Sequence, residues 1–507
     1  MPARLPSFWI KATLAVGLVA AADVLLFEQQ PGLGLALFAL ACVAVLPAVR
    51  TSRAAWPALG VAAILAAVQV ERPTLVGVLL CILALAVAAL APRAAAGDDA
   101  WRWAQRLVMA GIKSLIGPLL DLKRILKVRA RSRPLKVTAI LLAAILPVCG
   151  GAIFLWLFAS ANPLISEGLA TLALPEPDVG RVVFWAFVAL PVWALLRPRG
   201  LRCTRAAPGM EGDVDLPGVT TASITVSLIV FNALFGLQNV LDVAFLWSGA
   251  GLPEGVSFAD YAHRGAYALI ATAVLAGLFV LVFLRPGSRT ADSRLVRILV
   301  TAWVAQNLFL VASTVLRTLD YIEVYSLTRM RIAALLWMGL VALGLALICW
   351  RLLARKSSGW LLNANVLAAG VVLLGCSVVD LGAVAASWNV RHAREVGGKG
   401  VNLDVCYFGD LKGAGVVSLA ELERRLPPGD FRDRIAWKRR MLAADVAVQQ
   451  TAWRTWRWRD ARRLERVQAL TGESFARPAS SGRNCEGALP PPPKPTAPLT
   501  PTPNPGT

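Results

Sequence analysis

Apolar runs recur along this chain, each near the roughly twenty residues that carry a helix across a bilayer. Read as spans, they lie at 10–27, 32–49, 55–70, 73–91, 137–159, 181–196, 220–247, 264–284, 295–316, 332–353 and 360–385. Only helices and closed barrels satisfy their backbone groups in lipid, and runs of this length suit helices. The pattern therefore predicts an all-α integral membrane protein of about eleven spans. Its expected divisions are four N-terminal helices over 1–91, a basic linker over 92–136, and a seven-helix core over 137–385. A helical tail over 386–472 and a disordered Pro-rich end over 473–507 follow.

Lysine and arginine set the orientation. With the N-terminus in the cytoplasm, and counting basic residues at span edges, the inner segments hold 26 and the opposite loops 6. That asymmetry matches the positive-inside bias. An odd number of spans then puts the tail outside the cytoplasm. Arg4 and Lys11 ahead of the first run, with Ala20, Ala21 and Ala22 inside it, resemble a secretion signal. No mature polar domain follows, so a first spanning helix is the expectation.

The linker has a different periodicity. Val108, Ile112, Leu115, Leu119, Leu122 and Leu126 fall on one helical face, while Lys113, Lys123, Arg124 and Lys127 lie off it. Such a segment predicts an amphipathic helix on the cytoplasmic surface, contacting anionic lipid over 98–136, with Pro118 as a place to bend. A plain topology-setting basic loop is the alternative.

Polar residues inside apolar runs are costly and mark candidate function. Asn232, Gln238, Asn239 and Asp242 lie in the seventh run, and Gln306 and Asn307 near the middle of the ninth. The loop after the seventh run carries Pro253, Glu254, Asp260, His263 and Arg264. The loop after the ninth crowds Arg317, Asp320, Tyr321, Glu323, Tyr325, Arg329 and Arg331 together. Topology puts both loops on the outer side, with Asp380 and Asp23 at similar depth. The expectation is an outer polar cluster of Asp242, Asp260, Arg264, Arg317, Asp320, Tyr321, Tyr325, Arg329, Arg331 and Asp380. Structural polar packing explains the same residues equally well.

In the tail, 402–411 reads as extended or turn-like, and Ser418 with Glu421 as a capping box. Residues 431–470 read as one long basic helix with Trp437, Trp453, Trp456 and Trp458; its Trp- and Arg-rich part suits phospholipid headgroups. Beyond Pro478 the composition predicts polyproline II-biased disorder. Cys406 and Cys485 are the two tail cysteines, and in an oxidising compartment an even pair is the disulfide expectation. Two free thiols are the alternative.

Composition agrees with a membrane chain: 57% of 507 residues are hydrophobic and 16% charged, with mean hydropathy +0.61. The net charge of +21 would suggest nucleic acid in a soluble protein. Here inner loops and anionic headgroups account for it, so no nucleic-acid partner is expected. Two histidines, neither inside a span, exclude paired-histidine haem ligation in the membrane. No CxxC, HExxH or P-loop pattern is present, so no metal, cofactor or nucleotide motor is expected.

Three stretches resemble a bacterial membrane family, domain of unknown function 4173, and its sibling 4153. They are SFADYAHRGAYALI at 257–270, LRTLDYIEVYSLTRMRIAALLWM at 316–338, and NLDVCYFGDL at 402–411 with the later WRTWRWRDAR. The similarity spans roughly 140–470. It implies a polytopic membrane protein with an extracytoplasmic C-terminal segment, and it brings no activity.

Three functional classes fit these residues. An inner-membrane sensory or scaffold protein would use outer loops and tail to bind an envelope protein or solute. A transporter or ion-coupled permease would use the amides and acids in the spans as a cavity open to the outer face. An intramembrane enzyme has a single candidate, His263 with Asp260, which helix-end hydrogen bonding explains better; no catalytic residue is assigned.

Overall fold

Among the described residues of a computed structural model of the chain, eight helices are long and apolar enough to cross a membrane. The structure describes residues 5–49, 52–95, 97–131, 178–199, 220–244, 288–478 and 482–489, with scattered positions at 147–162, 204 and 271–284. Among the described residues every regular element is a helix. The expected spans at 137–159 and 264–284 fall largely outside them. The other nine all coincide with helices, one of which, Leu33–Val49, is shorter than the eight.

The chain forms two compact units. The first is Met1–Gln69 with Val78–Ala207; the second is Val70–Gly77 with Pro208–Thr507.

The first unit holds α1 (Leu5–Leu26), α2 (Leu33–Val49), α3 (Trp56–Glu71, its last residues grouping with the second unit), α4 (Leu75–Leu90, its first residues likewise), α5 (Ala100–Arg131) and α6 (Val179–Leu196). Ala22, Ala62 and Ala66 are fully buried beside Leu18, Leu65 and Leu85. Small residues at such contacts let helix backbones approach, which is how helices associate in lipid. Asp23 of α1 accepts from Arg181 Nε at 2.7 Å and from Trp185 Nε1 at 2.8 Å, fastening α1 to α6.

The amphipathic linker folds as α5, and Pro118 is accommodated within it. Its N-terminus is held by Asp99, which accepts the Arg102 amide at 3.0 Å, and by the Asp98–Arg106 pair at 2.7 Å. Burial pushes the Asp98 carboxyl up, but the Ala95 amide and the Arg106 guanidinium outweigh it and hold the pKa below the usual value. Val108, Ile112 and Leu115 of the predicted stripe are exposed, and the side chains of Leu119, Leu122 and Leu126 lie outside the described ones.

The second unit holds α7 (Thr221–Asp242), α8 (Arg294–Tyr325), α9 (Arg329–Leu353) and α10 (Ser358–Val378). Their shared core includes Leu228, Val300, Val304, Met338 and Leu345. Phe231, Phe279 and Trp303 pack as an aromatic trio, with centroids 5.4–5.7 Å apart. Five further helices follow: α11 (Leu381–His392), α12 (Tyr407–Leu411), α13 (Val416–Arg425), α14 (Asp430–Gln450) and α15 (Trp458–Thr471). They close around Phe408, Leu411, Leu419, Leu422, Ile435 and Val467, all under 1% exposed.

Four local expectations need correction, the first being that 402–411, read as extended or turn-like, ends in the helix α12. The run read as a single span over 360–385 is α10 and α11, broken where Asp380 turns its carboxylate onto the Gly382 and Ala383 amides at 3.0 and 3.2 Å. The long helix over 431–470 is α14 and α15. Between them the Thr455 hydroxyl donates to the Gln449 and Ala452 carbonyls, and the Gln450 side chain accepts the Arg457 amide. Ser418 makes no capping box, because α13 starts two residues earlier after Gly415. A Cβ at Gly415 would lie 2.5 Å from the Phe408 ring, so the close approach there requires glycine.

Candidate functional site

In the second unit, the α11–α15 domain is fastened by side chains rather than by apolar packing alone. Helix α11 brings Asn389 against the turn between α8 and α9. Its Nδ2 donates to the Leu327 carbonyl at 2.9 Å and its Oδ1 accepts the Leu327 amide at 2.8 Å. Asn389 is buried, so both backbone groups of Leu327 are satisfied away from water. The neighbouring Ser326 adopts a left-handed φ of 67°, an unusual conformation for serine that sharpens this turn. Arg331 donates to the Tyr325 carbonyl at 2.6 Å and to Ser326, and lies 4.1 Å over the Tyr321 ring.

From α12, the Tyr407 hydroxyl accepts the Arg329 amide at 2.8 Å, and the Arg329 guanidinium donates to the Asp410 carbonyl at 2.7 Å.

A second fastening gathers around Asp380. Arg72 reaches it at 2.7 Å, Arg463 of α15 pairs with its other oxygen, and Arg459 lies 3.8 Å away. Arg459 also holds Glu71 at 2.5 Å and donates to the Val378 carbonyl at 2.8 Å, where α10 ends. Asp460 is buried between Arg463 at 2.7 Å and Arg457 at 3.4 Å. Four arginines thus meet three carboxylates. Burial pushes Asp380 up, but Arg72 and Arg463 more than offset it, so its pKa lies below the usual carboxylate value.

The domain is also closed covalently. Cys406 and Cys485 form a disulfide, and Lys438 donates to the Cys485 carbonyl at 2.9 Å. Burial holds the Lys438 ammonium below its ordinary pKa. Arg439, 1% exposed, bridges Glu423 at 2.6 Å and Glu473 at 2.7 Å. Its hydrogen bond holds Glu473 below the usual range.

The expected outer cluster divides by partner. Asp242 pairs with Arg317 and accepts from Gln238 at 2.9 Å; Tyr321, Tyr325 and Arg331 form one stack; Arg329 joins the tail domain; Asp380 joins the arginines. Asp320 is exposed near the end of α8. Asp260, Arg264 and His263 lie outside the described residues.

The span amides collect between α7 and α8. Asn232 donates to the Leu299 carbonyl at 3.0 Å, Asn239 to the Gln306 carbonyl at 3.2 Å, and Asn307 to Trp303 at 2.8 Å within its own helix. The amide oxygens of Asn232, Asn239, Gln306 and Asn307, and Asp242 Oδ2, are buried and meet no donor among the described residues.

Among the described residues no group of His, Cys, Asp and Glu has metal-binding geometry.

Arg72, Asn389, Tyr407, Arg459 and Arg463 were missed by sequence reasoning. The spacing of Arg459 and Arg463 put both on one helical face, but the Trp-rich surroundings pointed to headgroups instead.

Residues 37–422 match the family described as Domain of unknown function (DUF4153). This is the sibling of the expected family 4173, and the match begins well before residue 140 and ends inside α13, short of α15. No curated protein and no solved structure matches the chain.

Proposed function

The chain belongs to the DUF4153 family, and on that footing we propose that it is a bacterial inner-membrane scaffold or sensory protein. In this reading its N-terminus is cytoplasmic and its α11–α15 domain stands on the outer face to engage an envelope partner. The observation that carries it is the build of that domain. It has its own core, a disulfide, and side-chain clasps onto the α8–α9 turn and the end of α10. Disulfides persist in oxidising compartments, which fits a domain outside the cytoplasm. A rigidly mounted domain also suits relaying or holding a partner more than chemistry. Reporter fusions after Lys136 and after Gly400 test it: opposite sides are expected, and one shared side would end the reading.

The buried oxygens between α7 and α8 that meet no donor among the described residues favour a second reading, an ion-coupled permease. Solute or ion flux into proteoliposomes that falls with Asp242→Asn would support the permease over the scaffold.

A further inference from the structure

The first unit contains a cleft of about 360 Å³, within the usual size of ligand pockets, about 300–1,000 Å³. Its shape matters more than its volume. Its lining runs along α4 from Val78 to Leu90, a length of about 18 Å at helical rise. Phe38 of α2, Gly111 of α5 and Val192 of α6 complete walls that are almost wholly apolar. One end is different: Arg197 and Arg199, just beyond α6, line the cleft there.

Those two arginines face one carboxylate. Asp121 of α5 pairs with Arg197 at 3.1 Å and with Arg199, and Trp193 Nε1 donates to it at 3.0 Å. Arg199 crosses α5 at Gly117, where a Cβ would collide with its guanidinium. Among the described residues, two arginines at this end of the cleft share the one carboxylate of Asp121, and their guanidinium groups are held in place. Arg197 also lies 5.3 Å over the Phe8 ring, which fixes it further.

We propose that this cleft binds one anionic glycerophospholipid. An acyl chain lies along α4 between α2, α5 and α6, and the phosphate sits at Arg197 and Arg199. The occupant follows from position and charge. A narrow apolar cleft among helices that cross the membrane is filled from the bilayer, and basic pockets between spans select acidic headgroups. The exposed Val108, Ile112 and Leu115 stripe lays α5 on the same lipid surface. Phosphate takes a bidentate guanidinium well, so Arg199 need not release Asp121 completely to share its donors. This proposal concerns the first unit alone and stands whether or not the scaffold reading holds.

Native mass spectrometry of the full chain, purified in mild detergent and titrated with phosphatidylglycerol or phosphatidylcholine, tests it. The expected result is one retained phosphatidylglycerol per chain, with at least tenfold lower occupancy by phosphatidylcholine. Arg199→Gln should lower phosphatidylglycerol occupancy about tenfold and leave phosphatidylcholine unchanged. Gly111→Phe, at a position with open space beside it, should abolish retention of both; Ser114→Leu is the second filling variant if that one fails to fold. Equal retention of the two lipids, no retained lipid in the unmodified chain, or full retention in a well-folded filled variant would overturn the proposal.

Discussion

Asn389 grips Leu327 by both of its backbone groups, donating at 2.9 Å and accepting at 2.8 Å. One asparagine thereby locks α11 to the turn between α8 and α9, in a place water does not reach. Asn389→Ala should strand two buried backbone groups, at a cost of about 1–3 kcal/mol for each. Limited proteolysis in detergent reads the effect as faster cleavage between 393 and 406. Asn389→Asp keeps the acceptor and loses the donor, so it should fall between the two.

Asp380 should make the mounting sensitive to acid. Its pKa in the folded chain lies below the ordinary value, so its contribution is complete above the unfolded pKa of about 3.9. That contribution is lost as pH falls through the lower folded value. Asp380→Asn should reproduce the acid state at neutral pH. Removing one partner of a buried pair costs about 3–5 kcal/mol, and here three arginines lose their shared carboxylate. Hydrogen exchange over 70–77 and 457–463 should accelerate in the variant; unchanged exchange would mean that Asp380 fastens nothing.

The Asp242–Arg317 pair should behave as a coupled unit in the bundle. Arg317→Leu leaves the Asp242 carboxylate with Gln238 as its remaining hydrogen-bond donor among the described residues, a loss of about 3–5 kcal/mol. Asp242→Asn combined with Arg317→Gln should recover part of that loss. Thermal unfolding of the two singles and the double in one detergent measures the coupling.

Much of the bundle was legible in the sequence because apolar length is a local signal. The helix α5 was legible from the helical period of its apolar positions. The break at Asp380 was not, because Val378, Val379 and Leu381 continue the apolar pattern across it. Only the caps made by Asp380 on Gly382 and Ala383 end one helix and begin another. Asp380 and Arg331 were visible as polar residues near span ends. Tyr321 and Tyr325, which Arg331 meets, were visible beside it, but the partner of Asp380 was not, since Arg463 lies 83 residues away and no local spacing links them. Asn389 had no signal at all, because an asparagine on a helix says nothing about which distant backbone it will satisfy.

The disulfide should be worth keeping for stability as well as location. Cys406 and Cys485 are separated by 79 residues, and closing a loop of that size contributes about 4 kcal/mol in the chain-entropy model. Cys485→Ser should lower the unfolding temperature of the α11–α15 domain and raise exchange in α14 beside Lys438. An unchanged transition would place the domain's stability in its apolar core alone.

The most direct measurement is thiol labelling of intact cells with a membrane-impermeant maleimide. The chain used carries Cys406 and Cys485 alone, the other six cysteines being replaced. No labelling before reduction, and labelling of both thiols from outside after reduction, is the predicted result. Labelling without reductant, or labelling that requires the inner membrane to be broken open, would contradict a disulfide-closed domain on the outer face.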